Sequence, residues 1–202
     1  MKKKGFIITI AAPSGGGKST ILNKALTKLP QVKYSISYTT RLPRGDEKDG
    51  VDYYFVTEDE FLQKKRDGFF LEFAQVHGSW YGTSKEYVQG VLESGNHVIM
   101  DIDVQGVAQV KQQGDDIVSI FVLPPNYSVL ENRLHARNTD CIAQIEQRLI
   151  NSKKEIDQLN EYDYLVINDD LDKAVECVVS IITVEENRVK RYVDPIEEFY
   201  KN

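Results

Sequence analysis

Residues 5–29 read Gly-Phe-Ile-Ile-Thr-Ile-Ala-Ala-Pro-Ser-Gly-Gly-Gly-Lys-Ser-Thr-Ile-Leu-Asn-Lys-Ala-Leu-Thr-Lys-Leu, and no other stretch limits the possible folds as tightly. Phe6 to Ile10 is a continuous apolar run with β-branched members, the pattern of a parallel strand buried on both faces. From Ser19 to Leu29 the apolar residues Ile21, Leu22, Ala25, Leu26 and Leu29 recur at helical spacing, and Pro30 ends the run. Between strand and helix lies a glycine-rich loop. Its backbone N–H groups and the helix N-terminus can converge on phosphate oxygens, with Lys18 reaching the β and γ phosphates and Ser19 binding Mg²⁺. The general pattern asks for glycine at its first position, where this chain has Ala12, but Gly17-Lys18-Ser19 is intact.

The same stretch imitates an export signal, with three lysines ahead of an apolar run. That run is only seven residues from Phe6 to Ala12, at the bottom of the signal-peptide range, and Pro13 and the glycines follow at once. No run approaches the roughly 20 apolar residues that cross a bilayer, so no membrane role is expected. Cys141 and Cys177 are the only cysteines and show no zinc spacing, which points to a reduced, cytoplasmic protein. A net charge of −6 argues against a nucleic-acid surface. Any anionic ligand must meet local positive charge.

Three further apolar runs read as core strands: His97 to Asp103, Ile117 to Leu123 and Tyr164 to Asn168. Helical patterns separate or follow them, so the expected fold is α/β with a parallel core sheet. Two segments break the alternation and read as inserts. One spans about 34–83 and contains a capping box, Thr57-Glu58-Asp59-Glu60, opening a short helix that ends near Gly68. The other, about 126–158, is a polar helical pattern carrying Arg133, Arg137 and Arg148. The core is then 1–33, 84–125 and 159–202.

Asp101 and Asp103 stand two residues apart at the end of an expected strand, hence on one face, where ligands of open α/β sheets collect. Such an aspartate can hold Mg²⁺ or its waters, or can cap the following helix. Arg41 and Arg44, among several hydroxyls, suit a phosphate monoester. Glu72 lies in an apolar stretch, where a carboxylate needs a donor. His77, His97 and His135 form no catalytic arrangement and read as structural or solvated.

These segments together resemble the guanylate kinase family over nearly the whole chain. The resemblance rests on Ala-Pro-Ser-Gly-Gly-Gly-Lys-Ser-Thr, Ser-Tyr-Thr-Thr-Arg-Leu-Pro-Arg, Trp-Tyr-Gly-Thr-Ser, Asp-Ile-Asp-Val-Gln-Gly and the late Asn-Asp-Asp, in that order. It implies a three-layer phosphate-loop nucleoside-monophosphate kinase fold with a GMP-binding insert and a lid, transferring phosphoryl from ATP to GMP or dGMP with Mg²⁺. Ala12, Pro13, Ser14, Gly15, Gly16, Gly17, Lys18, Ser19 and Thr20 would then cradle ATP, with Asn168 and Asp169 on the adenine side. Arg41, Arg44, Tyr53 and Tyr81 would hold the GMP phosphate, and Ser37, Glu72 and Thr83 would read guanine. Asp101 or Asp103 would assist at the acceptor nucleoside or the metal. Lys18, Arg44, Arg137 and Arg148 would act on the transferred group. Ala136 and Asn138 depart from the glycines of the family's lid. The rival readings are a peptide-binding module of the same shape, against which the intact phosphate loop weighs, and a kinase for another nucleoside monophosphate.

Overall fold

The computed structural model describes residues 1–76, 78–113, 117–136 and 142–201. The sequence expectations that fall on His77, Arg137, Asn138 and Cys141 lie outside the described residues. The chain begins with β1 (Ile7–Ala11), α1 (Lys18–Lys28), β2 (Val32–Ser35), β3 (Tyr38–Thr39) and β4 (Tyr54–Phe55). It continues with α2 (Glu58–Arg66), β5 (Phe70–Val76), β6 (Ser79–Ser84), α3 (Lys85–Glu93), β7 (His97–Asp101) and α4 (Val104–Gln112). The last elements are β8 (Ile117–Leu123), α5 (Tyr127–His135), α6 (Ile142–Ile156), β9 (Tyr164–Ile167), α7 (Leu171–Glu186) and α8 (Pro195–Tyr200).

Five strands form a parallel sheet in the order β2-β7-β1-β8-β9. β1 is central and buried at every position, which is why its sequence shows no polar alternation. Ile8 and Ile10 face one way, into a core completed by Ile21, Leu22 and Ala25 of α1 and Val175, Val178 and Ile182 of α7. Ile7 faces the other way, with Val88 of α3 and Val107 and Val110 of α4. The result is three layers, helices on both faces of one sheet. After β1 the chain builds β2 and β7 on one side, then crosses to β8 and β9 on the other. The crevice at the carboxyl ends of β7, β1 and β8 is therefore a topological switch point, the usual ligand position in such sheets.

A second sheet, in the order β4-β3-β6-β5, lies between β2 and α3 in the chain. Its helix α2 opens with the expected capping box, Thr57 and Glu60 exchanging hydrogen bonds. Two core features differ from expectation. β2 is an edge strand that no apolar run announces, because it is four residues long and Lys33 points outward. β7 ends at Asp101, because Asp103 leaves the strand to cap α4 through the Gly106 N–H at 2.9 Å. His97 is buried with its ring 4.1 Å from that of Phe6, a packing role. No helix among the described residues is long and apolar enough to cross a membrane.

Gly82 of β6 lies under a packed aromatic group. A Cβ there would come within 2.9 Å of Phe70 Cδ1 and 3.1 Å of Phe61 Cζ. Those two rings are stacked 4.4 Å apart and are buried, so neither has room to swing away. Gly82→Ala is expected to lower the unfolding free energy by about 1–3 kcal/mol through overpacking. Urea unfolding of the two proteins measures it, and equal midpoints would show that the aromatic layer yields freely.

Candidate active site

β1 runs directly into the loop, where each glycine answers a different local demand. Gly15 and Gly17 both have φ of +90°, a region that side-chain-bearing residues rarely enter. Gly16 lies outside the positive-φ region, but a Cβ on it would stand 2.9 Å from Ala12 Cβ. Ala12 at the first position of the pattern thus makes glycine necessary four residues later. A Cβ on Gly17 would meet Asn168 Nδ2 at 2.2 Å, and that amide donates to the Gly16 carbonyl at 2.8 Å. The loop opens α1 without a side-chain cap and with no acidic residue in the first turn. Side chains of Thr57, Ser84, Asp103, Asn126 and Asp170 cap α2, α3, α4, α5 and α7. The first N–H groups of α1 are left for an anion.

Two cavities adjoin the loop. One, of about 280 Å³, is lined by residues 11–20 with Val76, Ile102, Asp103, Val104, Phe121 and Glu155. The other, of about 170 Å³, is lined by Lys18, Ser37, Tyr53, Glu72, Ala74, Val76, Tyr81, Asp101, Ile102 and Asp103. Lys18 belongs to both. Its ammonium is paired with the Asp101 carboxylate. Burial opposes the charge on Lys18, but Asp101 outweighs it and holds the pKa above its ordinary value.

In the second cavity β5 and β6 set Glu72 opposite Thr83, and Thr83 Oγ1 donates to Glu72 Oε1 at 2.6 Å. Glu72 is 3% exposed. Burial pushes its carboxyl up to about 7, partly offset by the Thr83 hydroxyl and reinforced by the Asp103 charge. Gly106 allows this approach, since a Cβ there would lie 2.6 Å from Glu72 Oε2. Ser37, Tyr53 and Tyr81 complete the polar lining.

Other expected site residues stand apart from the cavities. Arg41 forks onto Glu47 at 2.9 and 3.0 Å, with its guanidinium 5.2 Å from the Tyr53 ring centre. Arg44 is exposed, and its backbone N–H donates to Glu47. Arg148 Nη1 reaches Ser14 Oγ at 3.2 Å. Asn168 braces the loop, whereas Asp169 is exposed. Asp101 and Asp103 share the second cavity, but not as two positions of one strand: one is paired with Lys18 and the other caps α4. No cluster of three or more His, Cys, Asp or Glu residues among those described forms a metal cage. Ser19 shares the lining of the loop cavity with Asp103 and of a neighbouring cavity with Asp101, a hydroxyl and carboxylate set that fits Mg²⁺, which keeps most of its waters and takes one or two protein ligands plus phosphate oxygens.

Sequence reasoning assigned no role to Arg133 or Glu155. Arg133 Nη2 donates to the Asn168 carbonyl at 3.0 Å while Nη1 is buried beside the loop without a described partner. Glu155 lines the loop cavity. Neither carries a local signature, because both reach the site only by packing of distant segments.

The sequence model of the family described as guanylate kinase matches residues 4–185. The chain belongs to the guanylate kinase family. It is 44% identical over 196 residues to the guanylate kinase of Thermotoga maritima, covering 97% of this chain and 95% of that one. It is 46% identical over 191 residues to the guanylate kinase of Syntrophotalea carbinolica, covering 95% and 91%. The crystal structure of guanylate kinase from Anaplasma phagocytophilum superposes with a TM-score of 0.82 at 31% identity, covering 97% of this chain and 94% of that one. In this guanylate kinase Ala136 adopts φ −66° and ψ −16°, an ordinary backbone that needs no glycine.

The raised Glu72 pKa has a definite consequence for the stability of this guanylate kinase. Unfolded, the carboxyl titrates near 4.5, and folded near 7. Between those values the folded state binds more protons than the unfolded chain, so stability falls as pH rises, by up to about 1.4 kcal/mol per pH unit. Above about pH 7 the effect levels off. Urea unfolding of wild type and Glu72→Gln from pH 4.5 to 8 isolates this group in the difference, which is expected to move in the variant's favour across the window. A pH-independent difference would mean that Glu72 titrates as an ordinary carboxylate.

Proposed function

We propose that this chain transfers the γ-phosphoryl group of ATP to GMP and dGMP, in the cytoplasm, with Mg²⁺ as the metal. The observation that carries the reading is Lys18 standing on the wall common to two cavities, one built from a phosphate loop and one from a buried carboxylate. A peptide-binding module has no use for an uncapped helix start behind such a loop.

The acceptor phosphate is already an anionic nucleophile, so the reaction needs no general base. What it needs is alignment of two polyanions and compensation of the charge that spreads over the transferred group. Residues 12–20 would hold the triphosphate through backbone N–H groups, with Asn168 and Asp169 toward adenine. Lys18 would leave Asp101 in part for the β and γ phosphates. Ser19 would hold the metal, with Asp101 in reach through water, and the metal neutralises phosphate charge. Arg41 would exchange Glu47 for the GMP phosphate, joined by Arg44, Tyr53 and Tyr81. Ser37, Glu72 and Thr83 would read guanine, with Asp103 at the acceptor nucleoside. Arg44, Arg137 and Arg148 would meet the transferred group as the 34–83 insert and the 126–158 lid close and exclude water.

Guanine offers Glu72 two donors, N1–H and the 2-amino group, and adenine offers neither on that edge. AMP would leave the buried carboxylate without ligand donors and with only its bond from Thr83, so discrimination on the order of 10⁴-fold is expected. In a coupled assay of ADP release, Glu72→Gln is expected to cost GMP about 2–4 kcal/mol in kcat/KM and AMP far less. Guanine also favours the ionised carboxylate, so the wild-type GMP KM is expected to rise as pH falls below about 7. Wild-type discrimination in a folded Glu72→Gln protein would move guanine reading elsewhere.

Lys18→Ala removes the one ammonium common to both cavities without opening the core. Its expected outcome is loss of phosphoryl transfer with an unchanged circular dichroism spectrum. Near-normal turnover in that folded variant would refute the phosphate-loop reading.

A further inference from the structure

Glu72 stands where β5 breaks step with its neighbour. Phe70 lies opposite Ser84 and Glu72 opposite Thr83, so the register shifts between Phe70 and Glu72 and leaves Leu71 as the extra residue of a bulge. A bulge re-aims the side chains beside it, and this one directly precedes the carboxylate that lines the second cavity. Such an arrangement invites slippage. A shift of one residue would turn Glu72 to the opposite face of the sheet, and β5 is an edge strand with no further strand to hold it.

α4 covers that edge with side-chain amides. Gln109 Nε2 donates to the Phe73 carbonyl at 2.7 Å, and Gln109 Oε1 accepts from the Phe73 N–H at 3.2 Å. One side chain thus satisfies both backbone groups of a strand residue, as a neighbouring strand would. Gln113, one turn on at the end of the helix, donates to the carbonyl of Leu71, the bulge residue itself. The two amides therefore hold the residues on either side of Glu72. Gly106, one turn before Gln109, is where the helix lies against the carboxylate, since a Cβ there would come within 2.6 Å of Glu72 Oε2. Gly106, Gln109 and Gln113 share one face of α4 by their spacing of three and four, and the adjacent Val107 and Val110 are buried with Val98 and Met100 of β7. The grip on β5 is thereby anchored in the core sheet.

We propose that Gln109, supported by Gln113, is a positioning residue for guanine recognition: by holding Phe73 and Leu71 it fixes the bulge, and with it the direction of the Glu72 carboxylate. This rests on the functional reading above, in which Glu72 reads guanine. Gln109 lines neither cavity and acts entirely through Glu72. An apolar side chain in its place would cover the edge of β5 equally well but would leave both Phe73 backbone groups free to pair elsewhere. Reading two parallel N–H donors requires a carboxylate held in their plane, because hydrogen bonds weaken steeply as their angle closes. The groups that meet the phosphates lie on other segments, so the effect falls on binding of the base.

The test uses the full chain, with steady-state kinetics for GMP, AMP and ATP and a thermal melt of each variant. Gln109→Met keeps the bulk and removes both bonds to Phe73. It is expected to raise the GMP KM on the order of 10-fold, with kcat and the ATP KM changed less than about threefold. AMP use should stay as it is, so discrimination falls with the GMP KM. Gln113→Met frees only the Leu71 carbonyl and is expected to move the GMP KM the same way and less; it carries the comparison should Gln109→Met not fold. Val110→Ala opens a cavity under the same helix without removing a bond to β5, and is expected to lower the melting temperature with the GMP KM unchanged. In a Glu72→Gln background, Gln109→Met is expected to add almost nothing, because the group it positions has been replaced. A folded Gln109→Met protein with wild-type GMP KM, an equal KM rise in Val110→Ala, or additive losses in the double variant would each overturn the proposal. If Glu72→Gln itself keeps wild-type discrimination, guanine reading by Glu72 fails and the role of Gln109 fails with it. If Glu72→Gln loses discrimination and Gln109→Met does not, the role of Gln109 alone fails.

Discussion

The ion pair between Lys18 and Asp101 ties the start of α1 to the end of β7, and the rest of the site is arranged around it. Lys18 is the one cation among the residues lining either cavity, whereas Glu72, Asp101, Asp103 and Glu155 all contribute carboxylates. The whole chain carries a net charge of −6. A site of this balance does not attract two nucleotides by itself, because like charges a few ångströms apart repel strongly in a low-dielectric cleft. The missing positive charge must come from the periphery, and the chain supplies it on the segments that flank the core: Arg41 and Arg44 on one side, Arg148 on the other. Closure on this view is an electrostatic requirement before it is a means of excluding water.

That arrangement depends on backbones approaching closely, and glycines sit where they do. Gly17 makes room for Asn168, whose amide braces the Gly16 carbonyl. The Asn168 carbonyl in turn receives Arg133 from α5. Gly106 makes room for the Glu72 carboxylate, and its N–H is the one that Asp103 caps. The first set joins the loop to the end of β9 and to α5, and the second joins α4 to β5; an added methyl group at Gly17 or Gly106 would crowd the Asn168 or Glu72 side chain in its set. The absent first glycine of the loop belongs to the same account, since Ala12 takes the space that a side chain at residue 16 would need.

The parts of this structure legible in the sequence are those decided within one or two turns of chain. β1, the loop and α1 were readable because apolar run, glycines and helical spacing follow one another directly. The α2 capping box was readable for the same reason. β2 was not, because an edge strand of four residues with an outward lysine has no periodicity to show. Asp103 was misplaced on β7 because strand spacing and a helix cap give the same two-residue separation, and only the Gly106 N–H distinguishes them. Glu72 could be singled out as a carboxylate in an apolar stretch, but its partner Thr83 became visible only once β5 and β6 were paired. Glu155 and Arg133 required the fold itself, since each meets the loop across more than a hundred residues of chain.

Glu72 and Glu155 are both carboxylates that burial pushes toward neutrality, and the ionised form of each carries a desolvation cost that a neutral residue of similar size would not. For Glu72 the cost has a direct return: its buried carboxylate accepts from Thr83 and keeps acceptor positions that the N–H donors of a ligand can fill. A ligand that brings them recovers the desolvation cost already spent in folding, and one that does not inherits it. Specificity is thus stored in the empty protein as unused acceptor capacity on a buried carboxylate, and its strength is set by how completely β5, β6 and α4 keep water from that carboxylate.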